Sequence, residues 1–282
     1  MKALITLTVP AAKKLIAKAV VRRPDVKNAL RNGRVLLKGG TTVSAVYEEI
    51  SGKKLRIGGR ITPRGTKNAL RKDGNPHCVL LEKGEARGVD EDIEDVVATL
   101  GRDDVIITSA NAIDIDGNAA MMAAAPLGSR AGKAISGFAT QGCKVIVAVG
   151  LEKLIPGRIR DAILACGRES VDKAMGAAVG LIPIIGEVVT EREAMKHIAD
   201  VNATVIASGG VFGAEGATTM VVDGPAEQVQ AILDLVLSLR DVETSGTAES
   251  LVECEGGCPQ CARHLACIYK LNPKKKEGGN HF

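Results

Sequence analysis

Four of the seven cysteines lie between residues 254 and 267, as Cys254, Cys258, Cys261 and Cys267 in the run Cys-Glu-Gly-Gly-Cys-Pro-Gln-Cys-Ala-Arg-His-Leu-Ala-Cys. Thiolates bind soft metals, and Gly256, Gly257 and Pro259 let a short backbone turn sharply enough to aim several sulfurs at one point. Structural zinc sites usually pair two knuckles across a longer loop, whereas all four thiols here sit in one segment. This favours an iron–sulfur cluster, with zinc as the alternative. His264 could replace one cysteine as a ligand.

The other chemistry-bearing residues stand in glycine-rich loops. Gly39, Gly40, Thr41 and Thr42 lie between a strand pattern and a helix pattern. There the backbone can approach an anion, helix N-terminal amides point outward and hydroxyls can donate to phosphate oxygens. The same four residues also read as an ordinary helix cap with Thr41 or Thr42 as the capping side chain. A second loop, residues 58–67, supplies Arg60 and Arg64 for bidentate grip on phosphate or carboxylate, or as solvated surface charges. A third, residues 109–118, brings Asn111, Asp114 and Asn118 to the mouth of a buried strand. Asp114 is the candidate general base, while Asp116-Gly117-Asn118 is also a strong turn signal. In residues 209–219 four glycines surround Glu215, a candidate nucleophile or simply part of a glycine-rich β-connection. His77 and His197 read as structural.

These loops need a scaffold. Strand patterns at residues 34–38, 77–82, 104–109 and 144–149 alternate with helix patterns at 43–50, 89–100, 130–140 and 156–166, after one or two helices within residues 10–32. The expected fold class is α/β, a parallel sheet with helical crossovers whose ligands bind at the C-terminal strand ends. From about residue 181 the rhythm becomes a smaller β-α-β-β-α region, with strands at 183–189, 204–207 and 218–222 and helices at 191–200 and 225–239. It could be a lobe or the far edge of the same sheet. The expected division is residues 1–180 as the α/β ligand-binding domain, 181–242 as the lobe or sheet extension, and 243–282 as linker and cysteine-rich metal-binding tail.

Composition limits the partners. With 45% hydrophobic and 25% charged residues, two Tyr, three Phe and no Trp, an aliphatic core is expected, which suits buried parallel sheets, and base-stacking platforms are not expected. A net charge of +4 with scattered basic residues gives no nucleic-acid footprint. The longest apolar stretch, residues 177–185, falls well short of the roughly 18 residues of a membrane span, and the N-terminus lacks a secretory pattern. A cytoplasmic protein is expected, with homo-oligomerisation left open. The isolated Cys78, Cys143 and Cys166 read as buried small hydrophobes.

Three segments carry a family resemblance. Val35-Leu-Leu-Lys-Gly-Gly-Thr-Thr-Val43 resembles the phosphate-loop strand of ribose phosphate isomerases. Asp104-Val-Ile-Ile-Thr-Ser-Ala-Asn-Ala-Ile-Asp-Ile-Asp-Gly-Asn118 resembles the corresponding loop of CoA transferases and sugar phosphate isomerases. Val147-Ala-Val-Gly-Leu-Glu-Lys-Leu-Ile-Pro156 is similar to a Gly-x-Glu-Lys motif of lactate-utilisation (LUD) domains, which share that fold. The resemblance implies strand-end loops that hold a phosphorylated sugar or a CoA thioester, a nucleophilic role for Glu215 like that of the CoA transferase glutamate, and an association with iron–sulfur clusters. The chain departs from the pattern where the isomerases carry an acid and it has Ser109, Ala110 and Asn111. It departs again where LUD domains carry a Glu-Thr-Gly-Thr-like turn and it has Asp116-Gly117-Asn118, so the reaction type does not transfer. The expected function is a metal-binding enzyme acting on a phosphorylated or CoA-linked small metabolite. The alternative is a non-catalytic ligand-binding or redox-sensing module.

Overall fold

The computed structural model describes residues 1–68, 74–246, 261 and 264–270. The chain opens with strand β1 (Lys2–Leu7), helix α1 (Val9–Arg22), helix α2 (Pro24–Asn32), strand β2 (Arg34–Lys38) and helix α3 (Thr41–Ser51). Two hairpins follow, β3 (Gly59–Thr62) with β4 (Gly65–Asn68), and β5 (Cys78–Glu82) with β6 (Glu85–Gly88). Next come α4 (Ile93–Ala98), β7 (Val105–Thr108), β8 (Ala112–Ile113), β9 (Ala119–Ala123), α5 (Ser129–Lys133) and α6 (Ile135–Thr140). They lead to β10 (Lys144–Ala148), α7 (Ile159–Ala165), β11 (Gly180–Ile184), β12 (Glu187–Val189) and α8 (Glu191–Ile198). The described elements end with β13 (Asn202–Gly209), β14 (Ala217–Asp223) and α9 (Ala226–Ser238).

The architecture is mixed α/β. The main sheet has the order β12-β10-β7-β2-β5-β6; its first four strands are parallel, and the β5–β6 hairpin adds an antiparallel edge. Strand β2 is buried on both faces, which is why Val35-Leu-Leu-Lys38 has no polar alternation. Val35 and Leu37 face one core with Leu15 and Ile16 of α1, while Leu36 faces the other with Val97 and Ile106. Helix α1 starts where the Thr8 hydroxyl accepts the Ala11 amide, with Pro10 in the first turn. At its far end the Arg23 guanidinium grips both Asp25 and Glu187, at 2.6–3.0 Å, and so ties the α1–α2 corner to β12.

Several expected boundaries move. The segment expected as one strand at 183–189 is two, because β11 pairs with β9 and β12 with β10. Between them Gly186 lies against the Val145 carbonyl, where a Cβ would sit 2.9 Å from the oxygen. Residues 130–140 form two short helices, and the 89–100 helix contracts to α4. The sequence reading has no strand at residues 2–7, yet β1 pairs with β14 in a three-stranded antiparallel sheet, β1-β14-β13. Ile5, Met220 and Val222 of that sheet join the same core as α1 and β2. The boundary expected at residue 180 therefore falls at the start of a paired strand, and the N-terminal strand belongs to the sheet of the C-terminal region. Residues 244–246, read as linker, are packed instead: Ser245 is buried and its hydroxyl meets that of Ser44 at 2.8 Å. No helix among the described residues is long and apolar enough to cross a membrane.

Candidate functional site

A cavity of about 550 Å³ opens at the C-terminal ends of β2, β7 and β10. Each of these strands delivers its following turn to the rim: Gly39 to Thr42 after β2, Ser109 to Asn111 after β7, and Glu152 with Lys153 after β10. That is the crevice parallel α/β sheets offer to ligands. The far wall is the β3–β4 hairpin, which contributes Arg60 and Lys67, backed by Met121, Ala177 and Val179.

The Gly39-Gly40 pair is required by packing. The Gly39 amide donates to the His77 carbonyl at 3.0 Å, and a Cβ on Gly39 would sit 2.5 Å from that oxygen. Gly40, at φ 152°, is the cap residue of α3, and no side chain caps the helix. The Thr41 and Thr42 capping reading is thus corrected: both are helical, and both line the cavity. The first-turn amides of α3 have no intrahelical acceptor, and they place the positive end of the helix dipole at the cavity.

Five cationic side chains line this space, Lys13, Lys38, Arg60, Lys67 and Lys153, against a single carboxylate, Glu152, among the described residues. Lys38, at the end of β2, is 4% exposed, and its Nζ lies 3.1 Å from the Met121 sulfur. Burial pushes its pKa down. Lys67 is 3% exposed, and among the described residues its ammonium has no hydrogen-bond acceptor; it faces the ring of Tyr269, 4.9 Å from the centroid. Lys13 pairs with Glu152 at 3.3 Å, a contact that is an ion pair without hydrogen-bond alignment at the carboxylate. Burial lowers the Lys13 pKa, with Glu152 opposing. Burial, then the neighbouring Lys38 charge, drives the His77 pKa down to about 4. His77 Nδ1 stands 2.8 Å from the Arg56 carbonyl, so Nδ1 carries the proton and Nε2 keeps a lone pair.

Of the residues expected from sequence, Gly39, Gly40, Thr41, Thr42, Arg60 and Asn111 line the cavity together. Asn111 also uses its Oδ1 to accept the Met122 amide at 2.9 Å. Asp114 and Asn118 lie elsewhere, in an apolar cleft with Ile159 and Ile163. Asp114 is a loop organiser: its carboxylate accepts the amides of Asp116, Asn118 and Ile159 at 2.9–3.1 Å. Burial opposes its ionisation, but these donors prevail and hold its pKa below the ordinary value. The Arg64 guanidinium lies 4.7 Å from the Tyr269 centroid, outside the cavity lining. Glu215 is exposed in the β13–β14 connection and is not part of the lining.

Cys254 and Cys258 lie outside the described residues. Cys261 and Cys267 are described, and among the described residues no three His, Cys, Asp or Glu side chains converge as a metal site. The segment around Cys267 docks on the cavity wall: Leu265 accepts the Ala178 amide at 3.2 Å, and Ala266 accepts the Ala174 amide at 2.8 Å. The opposite edge of this wall bonds to the hairpin, through Thr66 to Met175 at 3.0 Å and Ala177 to Thr66 at 2.8 Å.

Sequence reasoning counted Lys67 among the three cations of the 58–67 loop, did not single out Lys13, Lys38 or Glu152, and read His77 as structural. Lys38 and Glu152 stood inside the motifs quoted for the family resemblance, and a lysine ending an otherwise aliphatic strand was the available signal. Lys13 carried none, because it reaches the cavity only through the packing of α1. Compared with models of protein families, with curated proteins and with solved structures, the chain matches none of them.

Proposed function

We propose that this cavity binds a small metabolite carrying a phosphate or similarly dense anionic group, phosphorylated or CoA-linked, and that the protein acts on it as an enzyme. The observation that carries the reading is Lys67, buried in the cavity with no hydrogen-bond acceptor for its side-chain nitrogen among the described residues, with Lys38 buried in the same lining. Removing an ammonium from water costs several kcal/mol unless counter-charge returns it. A ligand anion between Lys67 and the α3 N-terminus would supply that charge. Glu152 and the His77 Nε2 lone pair are then the groups placed for proton transfer, in preference to Asp114, whose oxygens are engaged by backbone amides.

The test is thermal unfolding with inorganic phosphate, pyrophosphate and CoA at millimolar concentration. Pyrophosphate should raise Tm in the wild type and not in Lys67→Met. The reading fails if no anion shifts the wild type.

A second proposal concerns the tail. Cys254, Cys258, Cys261 and Cys267, with His264 as a substitute ligand, would hold an iron–sulfur cluster or zinc. What supports it is His264: it is buried, and neither ring nitrogen has a hydrogen-bond partner among the described residues. Because the segment docks on the cavity wall, a metal there suits the regulatory alternative as well as the enzyme. Metal analysis of anaerobically purified protein, read with its visible spectrum, separates iron, zinc and neither; a metal-free sample overturns the proposal.

A further inference from the structure

We propose that Lys38 is a covalent catalyst, whose ε-amine condenses with the carbonyl carbon of a phosphorylated aldehyde or ketone held in the cavity. The inference rests on the anion-binding reading above and adds the reacting group of the ligand.

The geometry sets Lys38 apart from the other cations. Lys13 is paired with Glu152, and Lys67 faces an aromatic ring. Lys38 instead meets a thioether, and its neighbours on the paired strand are Cys78, directly opposite, and His77. None of these offers an anion. Burial, the largest cause of the lowered His77 pKa and independent of any charge on Lys38, favours the neutral ring, and the Cys78 thiol is pushed up to about 11 by burial, so it too is neutral. Desolvation works in the same direction on Lys38 itself and favours the free amine. A desolvated lysine in a pocket is the form in which an amine is nucleophilic near neutral pH.

The step balances without an external oxidant or reductant. The Lys38 nitrogen lone pair forms a bond to the carbonyl carbon, and the C=O π electrons move to oxygen, which takes a proton. His77 Nε2 accepts the proton lost by the amine and returns it to the hydroxyl, which leaves as water. The product is a protonated imine joining the former carbonyl carbon to the Lys38 nitrogen; the carbonyl compound, the free amine and one proton give this imine and one water. Lys67 and the α3 amides hold the phosphate meanwhile, and the positively charged imine then acidifies the adjacent C–H, within the cavity that holds Glu152.

The probe is dihydroxyacetone phosphate with sodium borohydride, followed by intact mass measurement and peptide mapping of the full chain. One reduced adduct is expected, mapped to Lys38, suppressed by inorganic pyrophosphate and lost in Lys38→Met. Dihydroxyacetone without the phosphate should label Lys38 far less. Labelling should persist at neutral pH, where exposed lysines are protonated. Adducts confined to exposed lysines, or equal labelling by the two ketones, would overturn the proposal. If the adduct is missing while pyrophosphate still raises Tm, the covalent role falls and the anion site stands; if both are missing, both fall.

Discussion

The ammonium of Lys67 stands 4.9 Å from the ring centroid of Tyr269, a contact that joins one wall of the cavity to the segment carrying Cys267. The Arg64 guanidinium lies 4.7 Å from the same centroid, so one half-buried ring orders two cations of the β3–β4 hairpin. The tail is in this way part of the site.

Tyr269→Leu should therefore weaken pyrophosphate binding although Tyr269 is not part of the cavity lining. Losing the ring face removes about 1 kcal/mol of cation–π attraction and frees the Lys67 side chain, so a roughly fivefold rise in Kd is expected by calorimetry. Tyr269→Phe should bind like the wild type, since the ring and not the hydroxyl makes the contact.

Gly39→Ala should be among the most damaging single-methyl changes in the chain. The added carbon would press 2.5 Å from the His77 carbonyl oxygen, the acceptor of the Gly39 amide, and the β2–β5 pair would have to separate at the cavity rim. Overpacking of this kind costs about 1–3 kcal/mol. Chemical denaturation should show the midpoint falling without a change in slope, together with loss of the pyrophosphate shift.

Lys38→Met should stabilise the empty protein while abolishing covalent labelling. A lysine whose folded pKa is below its unfolded value penalises the fold at low pH, where both states are protonated. That penalty fades as pH rises from the folded value toward 10.5. The advantage of Lys38→Met over the wild type should accordingly be largest in the acid range and shrink on the alkaline side. An advantage that is constant with pH would show that Lys38 titrates normally.

Buried Glu191 and part-buried His77 bend the pH profile in opposite senses. Glu191 is 1% exposed and accepts the Leu151 amide at 2.9 Å; burial raises its pKa to about 7. The folded state then holds a proton that the unfolded chain has lost, so stability falls as pH rises from 4.5 to about 7, by about 3 kcal/mol if the whole shift is expressed. Glu191→Gln, which keeps an oxygen acceptor, should raise Tm at pH 8 and leave it unchanged at pH 4. His77 does the reverse: with its pKa down to about 4, stability drops as pH falls from 6.5 toward 4. His77→Asn, which can retain the donor to the Arg56 carbonyl, should flatten that acid limb.

The parallel core was legible because its signal is local. An aliphatic run such as Val35-Leu-Leu, closed by Lys38 and Gly39-Gly40, reads as a strand buried on both faces with a tight exit, and the turns after parallel strands share one edge. Gly39 to Thr42 and Asn111 were therefore placed at one rim from sequence alone, and so was Arg60 as a basic residue of a neighbouring glycine-bearing loop. Strand β1 escaped notice because its partner, β14, is more than 200 residues away, and nothing in Lys2–Leu7 announces that pairing. Asp114 shows the opposite failure: the residue type fitted a base, but in an Asp-x-x-x-Asn turn the short carboxylate is captured by nearby amides.

Amino-acid type and spacing alone determined the aliphatic sheet, the glycine turns at its carboxyl edge and the cysteine-rich tail. Tertiary structure decided which charges meet. Lys13 comes from α1, Lys38 from β2, Lys67 from a hairpin and Glu152 from the turn after β10, and they face one cavity because α1, the hairpin and the sheet edge pack around it. Burial, hence the loss of water around Lys38 and Lys67, is a property of that packing, and no local pattern in the chain encodes it.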